Sequence, residues 1–337
     1  MKILLKLDKM ESQIRFLKQC SDKLGNKNFA NALAELLGVN KDAAYRRMRG
    51  TTALTFDEIR KISLTFRVSV DSSINYQGST VPFQFNAMFQ DKFKILDYLR
   101  NIASQFSNLQ DIDNAHMTLT LMDLPYFRQF GFPALSRFKL FYWQRSVLNL
   151  ESYRHKKFDW QEPMPEYEEI TSQVYQLYHG VDSREIWAPE TLDSTVKQVR
   201  YFADSGLFVS QDSARQICDD LNELFVKLER EAELGKKYIQ VDGQTITSKF
   251  EMYQSDLFLS NNCIQARRND QIFTYVSFNS FNSLMSFNPD FAEECNRWVE
   301  QIRLKSILLS EVSEKLRYQF FQGLHAKLDG LRTYLGV

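Results

Sequence analysis

Glycine is scarce in this chain, at 12 of 337 residues. No G-x-x-x-x-G-K-[ST] or G-x-G-x-x-G pattern occurs, so the sequence offers no glycine-rich cradle for a nucleotide phosphate. H-E-x-x-H and G-x-S-x-G are also missing, which removes the zinc-peptidase and nucleophile-elbow chemistries. The four cysteines, Cys20, Cys218, Cys263 and Cys295, are scattered without a C-x-x-C pair. That pattern argues against a disulfide framework or a zinc site and fits a reducing interior. His116, His155, His179 and His325 are equally dispersed and read as packing or surface polarity. Adjacent carboxylates such as Glu168 and Glu169, or Asp219 and Asp220, read as solvated helix faces. No apolar run approaches the roughly 20 residues that span a bilayer. The opening MKILLKLDKM carries a lysine inside its short apolar run and no small-residue cleavage site, so no signal peptide is expected. A cytoplasmic protein without catalytic residues, cofactor or metal is the expectation.

Net charge is absent too, yet the zero total hides an asymmetry. Residues 1–75 hold 14 basic and 8 acidic side chains, an excess of +6, and the remainder holds 28 and 34, an excess of −6. Opposite charge on two parts suggests separate tasks, one of which faces a polyanion. What is abundant is aromatic surface, 14% of residues. That implies large rigid side chains in cores, clefts or subunit contacts.

The basic part reads as helices. A first helix is expected at about Met10 to Leu24, with Ile14, Leu17 and Leu24 near helical spacing and Gly25 as its stop. In NFANALAELLGV, Phe29, Leu33, Leu36 and Leu37 form an apolar face, and Gly38 suits the positive φ of a tight inter-helix turn. Val39 is placed to fill the gap between helices. Asn40 is a good N-cap for KDAAYRRMRG. There Ala44 and Met48 fall on one face, leaving Lys41, Asp42, Tyr45, Arg46 and Arg49 on the other, and Gly50 ends the helix. A fourth helix follows, with Thr55 and Glu58 at capping-box spacing. Phe56, Ile59, Ile62, Leu64 and Phe66 are its expected apolar residues, and Val68, Val70 and Ile74 close the unit.

The stretch LAELLGVNKDAAYRRMRG…LTFDEIRKISLTFRVSVDSSI resembles the lambda-repressor/Cro/Xre class of helix-turn-helix domains over about Asn28 to Asn75. The likeness lies in the L-A-x-x-L-G-V approach, the cap, the basic helix ending in glycine and the V-S-V-D ending. It implies that the second helix of the motif enters the major groove of double-stranded DNA, N-terminal end first. Lys41, Asp42, Ala43, Tyr45 and Arg46 then become the base readers: arginine pairs with guanine, Asp42 accepts from cytosine, and Ala43 meets a thymine methyl. Asn40, Arg49, Lys27 and Thr51 lie at the flanks, the last three placed for phosphate contacts. Arg47 departs from the class, where many relatives carry a large apolar residue. It is expected to bury its stem and aim its head at a phosphate.

YQGSTVP, within a linker expected at 76–83, separates the basic part from residues 84–337. That remainder reads mainly as helix. One long helix is expected through FQFNAMFQDKFKILDYLRNIASQF, with Phe85, Met88, Phe89, Phe93, Leu96, Leu99 and Ile102 on its apolar face. Two helices are expected in DLPYFRQFGFPALSRFKLFYWQRSVLNL, each with a proline near its start. Phe138, Phe141, Tyr142 and Trp143 either line a ligand pocket or, as is commoner, fill a core. Further helices are expected in PEYEEITSQVYQLYHG, APETLDSTVKQVRYFADSG and SQDSARQICDDLNELFVKLEREAELG. A small antiparallel sheet of three or four strands is expected near 240–280, where SNN and RND supply turn chemistry. From Pro289 onward Trp298, Ile302, Leu309, Val312, Leu316, Phe320, Leu324 and Leu328 make an apolar stripe, for a dimer interface or a core. No tetratricopeptide period emerges. MTLTLMDLPYFRQFGFPALSRFKLFYW faintly resembles the C-terminal region of uncharacterised bacterial Xre-class regulators.

The expected protein is therefore mainly α. Its basic N-terminal helix-turn-helix domain, residues 1–75, reads DNA to regulate transcription. A larger helical region dimerises the chain and answers a small-molecule or peptide effector. The alternative is a protein–protein interaction module or peptide-sensing adaptor whose helix-turn-helix does not touch DNA.

Overall fold

The computed structural model describes residues 10–24, 28–73, 81–89, 93–110, 112, 115–257, 259, 261–269 and 271–337. The chain divides into two compact units, Met1–Pro82 and Phe83–Val337. The first contains helices α1 (Glu11–Lys23), α2 (Phe29–Leu37), α3 (Lys41–Met48) and α4 (Phe56–Phe66). Their core is Phe16, Leu17, Cys20, Phe29, Leu33, Ala44, Ile62 and Val68, with Phe29 and Phe66 meeting edge to face at 5.2 Å. The buried face of α1 is thus Phe16, Leu17 and Cys20, whereas Ile14 and Leu24 are exposed. On α4 the expected apolar set divides: Ile62 is buried, but Phe56 and Leu64 face solvent at 81% and 68% exposure. Gly25 and Ile74 lie outside the described residues, as does most of the expected linker.

The second unit is built on a mixed eight-stranded sheet. Its elements run α5 (Ile95–Gln110), β1 (His116–Leu121), α6 (Tyr126–Gln129), α7 (Pro133–Tyr142), a π-helical turn at Trp143–Val147, α8 (Glu151–Arg154), α9 (Pro165–His179), β2 (Asp182–Trp187), α10 (Asp193–Asp204) and α11 (Gln211–Leu234). Then come β3 (Lys236–Val241), β4 (Gln244–Gln254), β5 (Cys263–Arg268), β6 (Gln271–Phe278), β7 (Asn282–Ser286), α12 (Pro289–Leu304), β8 (Ile307–Leu308) and α13 (Glu314–Leu335). The strand order is β3-β4-β2-β1-β5-β6-β7, and β8 pairs with the end of β4. β2 runs parallel to both β1 and β4, and every other pairing is antiparallel. Parallel neighbours need long crossovers, and helices α6–α9 and α10–α11 supply them.

The small antiparallel sheet expected near 240–280 is therefore only one part of a larger mixed sheet. The segment expected to begin a long helix is also different. Residues 81–89 form no helix, and Gln84 bridges Met285 through two backbone hydrogen bonds of 2.7 and 2.8 Å. The helix begins only at Ile95. Phe85 and Phe89 are mostly exposed, with Phe85 edge-on to Phe278. The apolar stripe after Pro289 is broken by β8. Ile302, Leu309, Phe320, Leu324 and Leu328 are buried, whereas Trp298, Val312 and Leu316 are exposed.

Candidate nucleic-acid interface

The α2–α3 corner is set by three residues. Gly38 takes φ +64° at the end of α2 and its N–H donates to the Glu35 carbonyl. The Val39 N–H then donates to the Ala34 carbonyl at 3.0 Å, turning the chain back on the helix it has left. Asn40 caps α3, its Oδ1 accepting from the Ala43 N–H at 2.9 Å. Ala44 is fully buried, so the methyl group is what spaces α3 from its neighbours in the core.

With Ala44 inward, Lys41, Asp42, Tyr45, Arg46 and Arg49 are all exposed. At 3.6 residues per turn they occupy an arc of roughly 140° on one side of α3. Three cations, one phenol and one carboxylate thus share a helix face. Among the described residues, no salt bridge engages Lys41, Arg46 or Arg49. Ala43 is half-buried beside this arc. Asn40 spends its carbonyl oxygen on the cap and keeps its amide nitrogen as a donor. The Thr51 hydroxyl donates to the Arg46 carbonyl at 3.0 Å, so its single proton is used within the chain. Lys27 lies outside the described residues.

Arg47 is directed elsewhere. Its Nη2 donates to Glu58 Oε1 at 2.8 Å, with both side chains mostly covered, and its Nη1 returns to the Ala43 carbonyl. The head expected at a phosphate is instead the tie between α3 and the start of α4. Glu58 completes that tie, because its Oε2 accepts from the Thr55 N–H while Thr55 Oγ1 accepts from the Glu58 N–H, forming a capping box. A second tie was not legible from spacing. Gln13 on α1 donates to the carbonyls of Arg47 and Thr52 at 2.7 and 2.8 Å and accepts from the Leu54 N–H at 2.8 Å. This side chain holds the loop after α3. Gly50 in that loop has φ +71°, and a Cβ there would crowd Ile14 and Met10 at 3.1 Å.

Burial acts to raise the Glu58 pKa, but the Arg47 hydrogen bond, the Thr55 N–H and the Arg47 charge together hold it below the ordinary carboxylate value. A depressed folded-state pKa stabilises the fold above the unfolded pKa, and that contribution is lost as pH falls through the folded value. Replacing Glu58 with glutamine is expected to lower unit stability by about 1 kcal/mol at neutral pH. It should also flatten the loss on acidification. Melting curves of both chains from neutral to acid pH check this, and parallel curves would refute it.

The second unit contains a charged cluster of another kind. Arg128 on α6 donates through Nε and Nη2 to both carboxylate oxygens of Glu185 on β2, at 3.1 and 3.0 Å, and through Nη1 to Glu231 on α11 at 2.8 Å. Lys237 donates to the Tyr178 and Val181 carbonyls, and His179 Nε2 lies 3.3 Å from Glu231 Oε1. Glu185, Glu231, His179 and Lys237 are completely covered and Arg128 nearly so. A cluster this enclosed gives a substrate no approach, and its role is to join α6, α9, α11, β2 and β3. The aromatic run at Phe138, Phe141 and Trp143 is likewise core, with Trp143 stacked on Phe281 at 4.3 Å. Asp220 is not solvated. Its Oδ2 accepts from the Leu135 N–H at the start of α7, while Asp219 pairs with Arg332 and Glu168 with Arg137.

Among the described residues no group of His, Cys, Asp and Glu is arranged to hold a metal, and no helix is long and apolar enough to cross a membrane. Comparison with known proteins returns no matching family profile, no matching curated protein and no matching solved structure.

Proposed function

We propose that the chain is a sequence-specific DNA-binding regulator of transcription that lays α3 in the major groove. The observation that carries the reading is the exposed arc of Lys41, Asp42, Tyr45, Arg46 and Arg49 on a helix whose opposite face is anchored by buried Ala44. A groove-reading helix needs that division, because phosphates and base edges are met by the outer face while the inner face fixes its tilt. The resemblance to the lambda-repressor/Cro/Xre class supports the same assignment. Lys41 at the leading end and Arg46 about a turn and a half further along α3 reach base edges, and Arg49 neutralises phosphate. One such helix buries little DNA, so the chain acts as a homodimer on half-sites roughly 34–36 Å apart, with the second unit as the dimerising and effector-answering part.

Selection from a randomised duplex pool, with affinity followed against salt, tests this. A two-fold symmetric motif is the expected result, and absence of binding even at low salt would overturn it. Arg46→Ala should lose about 1–3 kcal/mol and relax choice at one base pair. An equal loss on every sequence would reassign Arg46 to phosphate, with the salt slope reduced by about one.

A second reading has its own observation. Phe56 and Leu64 lie two turns apart on α4 and are both mostly exposed, a surface suited to a protein partner. If the unit is a protein-docking module, a chain with Arg46 and Arg49 replaced keeps its partner and the parent chain has no affinity for DNA.

A further inference from the structure

Two cysteines far apart in the sequence meet in the second unit. Gln265 on β5 donates through Nε2 to the Ala292 carbonyl on α12 at 2.7 Å, which fixes that helix against that strand. Cys263 is two residues from Gln265 and so shares its face of β5. Cys295 is three residues from Ala292, and Ala292, Cys295, Val299 and Ile302 follow the i+3/i+4 spacing of one helix face. Ala292, Val299 and Ile302 are buried. The two thiols accordingly lie close enough for each to shift the ionisation of the other. Cys263 is 5% exposed and its backbone is held between β1 and β6, whereas Cys295 is only partly covered.

We propose that Cys295 and Cys263 are a redox modification site, joined by oxidation into a reversible disulfide that staples α12 to β5. Cys295 is the thiol that meets the oxidant, a peroxide, and Cys263 is the thiol that resolves it. In the first step the Cys295 sulfur attacks a peroxide oxygen. The S–O bond forms, the O–O bond breaks, and the departing oxygen leaves as water with one proton, giving a sulfenic acid. In the second step the Cys263 sulfur attacks the sulfenic sulfur. The S–S bond forms, the S–O bond breaks, and hydroxide leaves as water with the Cys263 proton. Two thiols are oxidised and one hydrogen peroxide becomes two waters.

The asymmetry of the pair suits this order. The neighbouring Cys263 thiol favours the Cys295 thiolate, the form that attacks, despite the opposing effect of burial. Closing the bond brings the two sulfurs to about 2.05 Å. Cys20 and Cys218 are buried in other places, and burial pushes both thiols up, Cys20 to about 12 and Cys218 to about 11. The inference does not depend on the DNA-binding reading.

The experiment treats the folded full-length chain with hydrogen peroxide and follows intact mass and peptide maps. The expected result is a loss of about 2 Da, one cross-linked peptide pair containing Cys263 and Cys295, and full reversal by a dithiol. Cys263→Ser should stop at the sulfenic acid on Cys295, trapped by dimedone, with an unchanged far-ultraviolet circular dichroism spectrum. Cys295→Ser should leave Cys263 unmodified. Sulfenic or sulfinic acid on Cys295 of the parent chain without the cross-link would overturn the proposal. So would a cross-link through Cys20 or Cys218. Unreactive thiols in the folded chain that oxidise only after denaturation would also overturn it.

Discussion

Replacing Arg128 with methionine is expected to destabilise the second unit by about 3–5 kcal/mol or more. Folded domains have only about 5–15 kcal/mol in hand, so this substitution removes a large fraction. Arg128 supplies three hydrogen bonds to two buried carboxylates and lies over the Tyr178 and Phe250 rings. Methionine keeps much of the volume but leaves Glu185 and Glu231 facing one another's charge. Glu185 retains bonds from Tyr178, Ser183 and Trp187, and Glu231 retains Lys227 and His179, which are weaker substitutes.

The pH dependence distinguishes this cause from simple mispacking. In the parent chain burial pushes Glu231 upward, but His179, 3.3 Å away, and the Arg128 and Lys227 charges hold it down at about 2. Glu185 is also held low, burial being outweighed chiefly by Arg128 and Lys237. Their pairing therefore stabilises the fold above ordinary carboxylate pKa values and is lost as pH falls, through about 2 for Glu231. Without Arg128 the balance tips toward burial, the carboxyls take up protons more readily, and the defect shrinks on acidification. Denaturant midpoints of both chains between neutral and acid pH measure it. A defect independent of pH would assign the loss to packing. Replacing both carboxylates by glutamine alongside Arg128→Met should restore part of the stability, because no unpaired charge then remains.

The same cluster explains what was hidden in the sequence. DSREIW has no simple apolar alternation, since Glu185 sits wholly inside with Arg128 as its partner, so β2 did not read as a strand. HMTLTL is buried at five successive positions, because β1 lies at the centre of the sheet with β2 and β5 on either side, and a strand covered on both faces loses its period. Both partners of β1 are more than 60 residues away in the chain, and no local pattern announces that pairing. In the stretch before Ile95 the phenylalanines fell at helical spacing by composition, yet Gln84 is held by Met285, just over 200 residues away. The first unit was more readable because the bonds that set its helix ends are local. Gly38 and Asn40 each act within a few residues of their own position, as do Thr55 and Glu58 in their capping box. Arg47 shows the limit of that reading. Its charge suggested an outward role, but its place on the wheel, opposite the arc of Arg46 and Arg49, turns it toward Glu58.

Ala44→Leu is expected to remove most DNA affinity while leaving the second unit untouched. Ala44 has no exposure and packs in the core with Phe16, Leu17, Leu33 and Ile62. Three added carbons have no space there, and overpacking of this kind costs about 1–3 kcal/mol. A unit of this size has a total stability of roughly 4–12 kcal/mol at about 0.05–0.15 kcal/mol per residue, so it stays folded with a lower melting temperature. It relieves the crowding by shifting α3 away from its neighbours. Because Lys41, Asp42, Tyr45, Arg46 and Arg49 all ride on α3, a displacement of about 1 Å misplaces every groove contact together, and specific affinity should fall at least about tenfold. Arg46→Ala makes the control, since that exposed side chain can be removed with little change in melting. If Ala44→Leu melts earlier yet binds the selected duplex as tightly as the parent chain, α3 is not the helix that reads it. The surface around Phe56 and Leu64 then becomes the face to test, with a protein rather than a duplex as its partner.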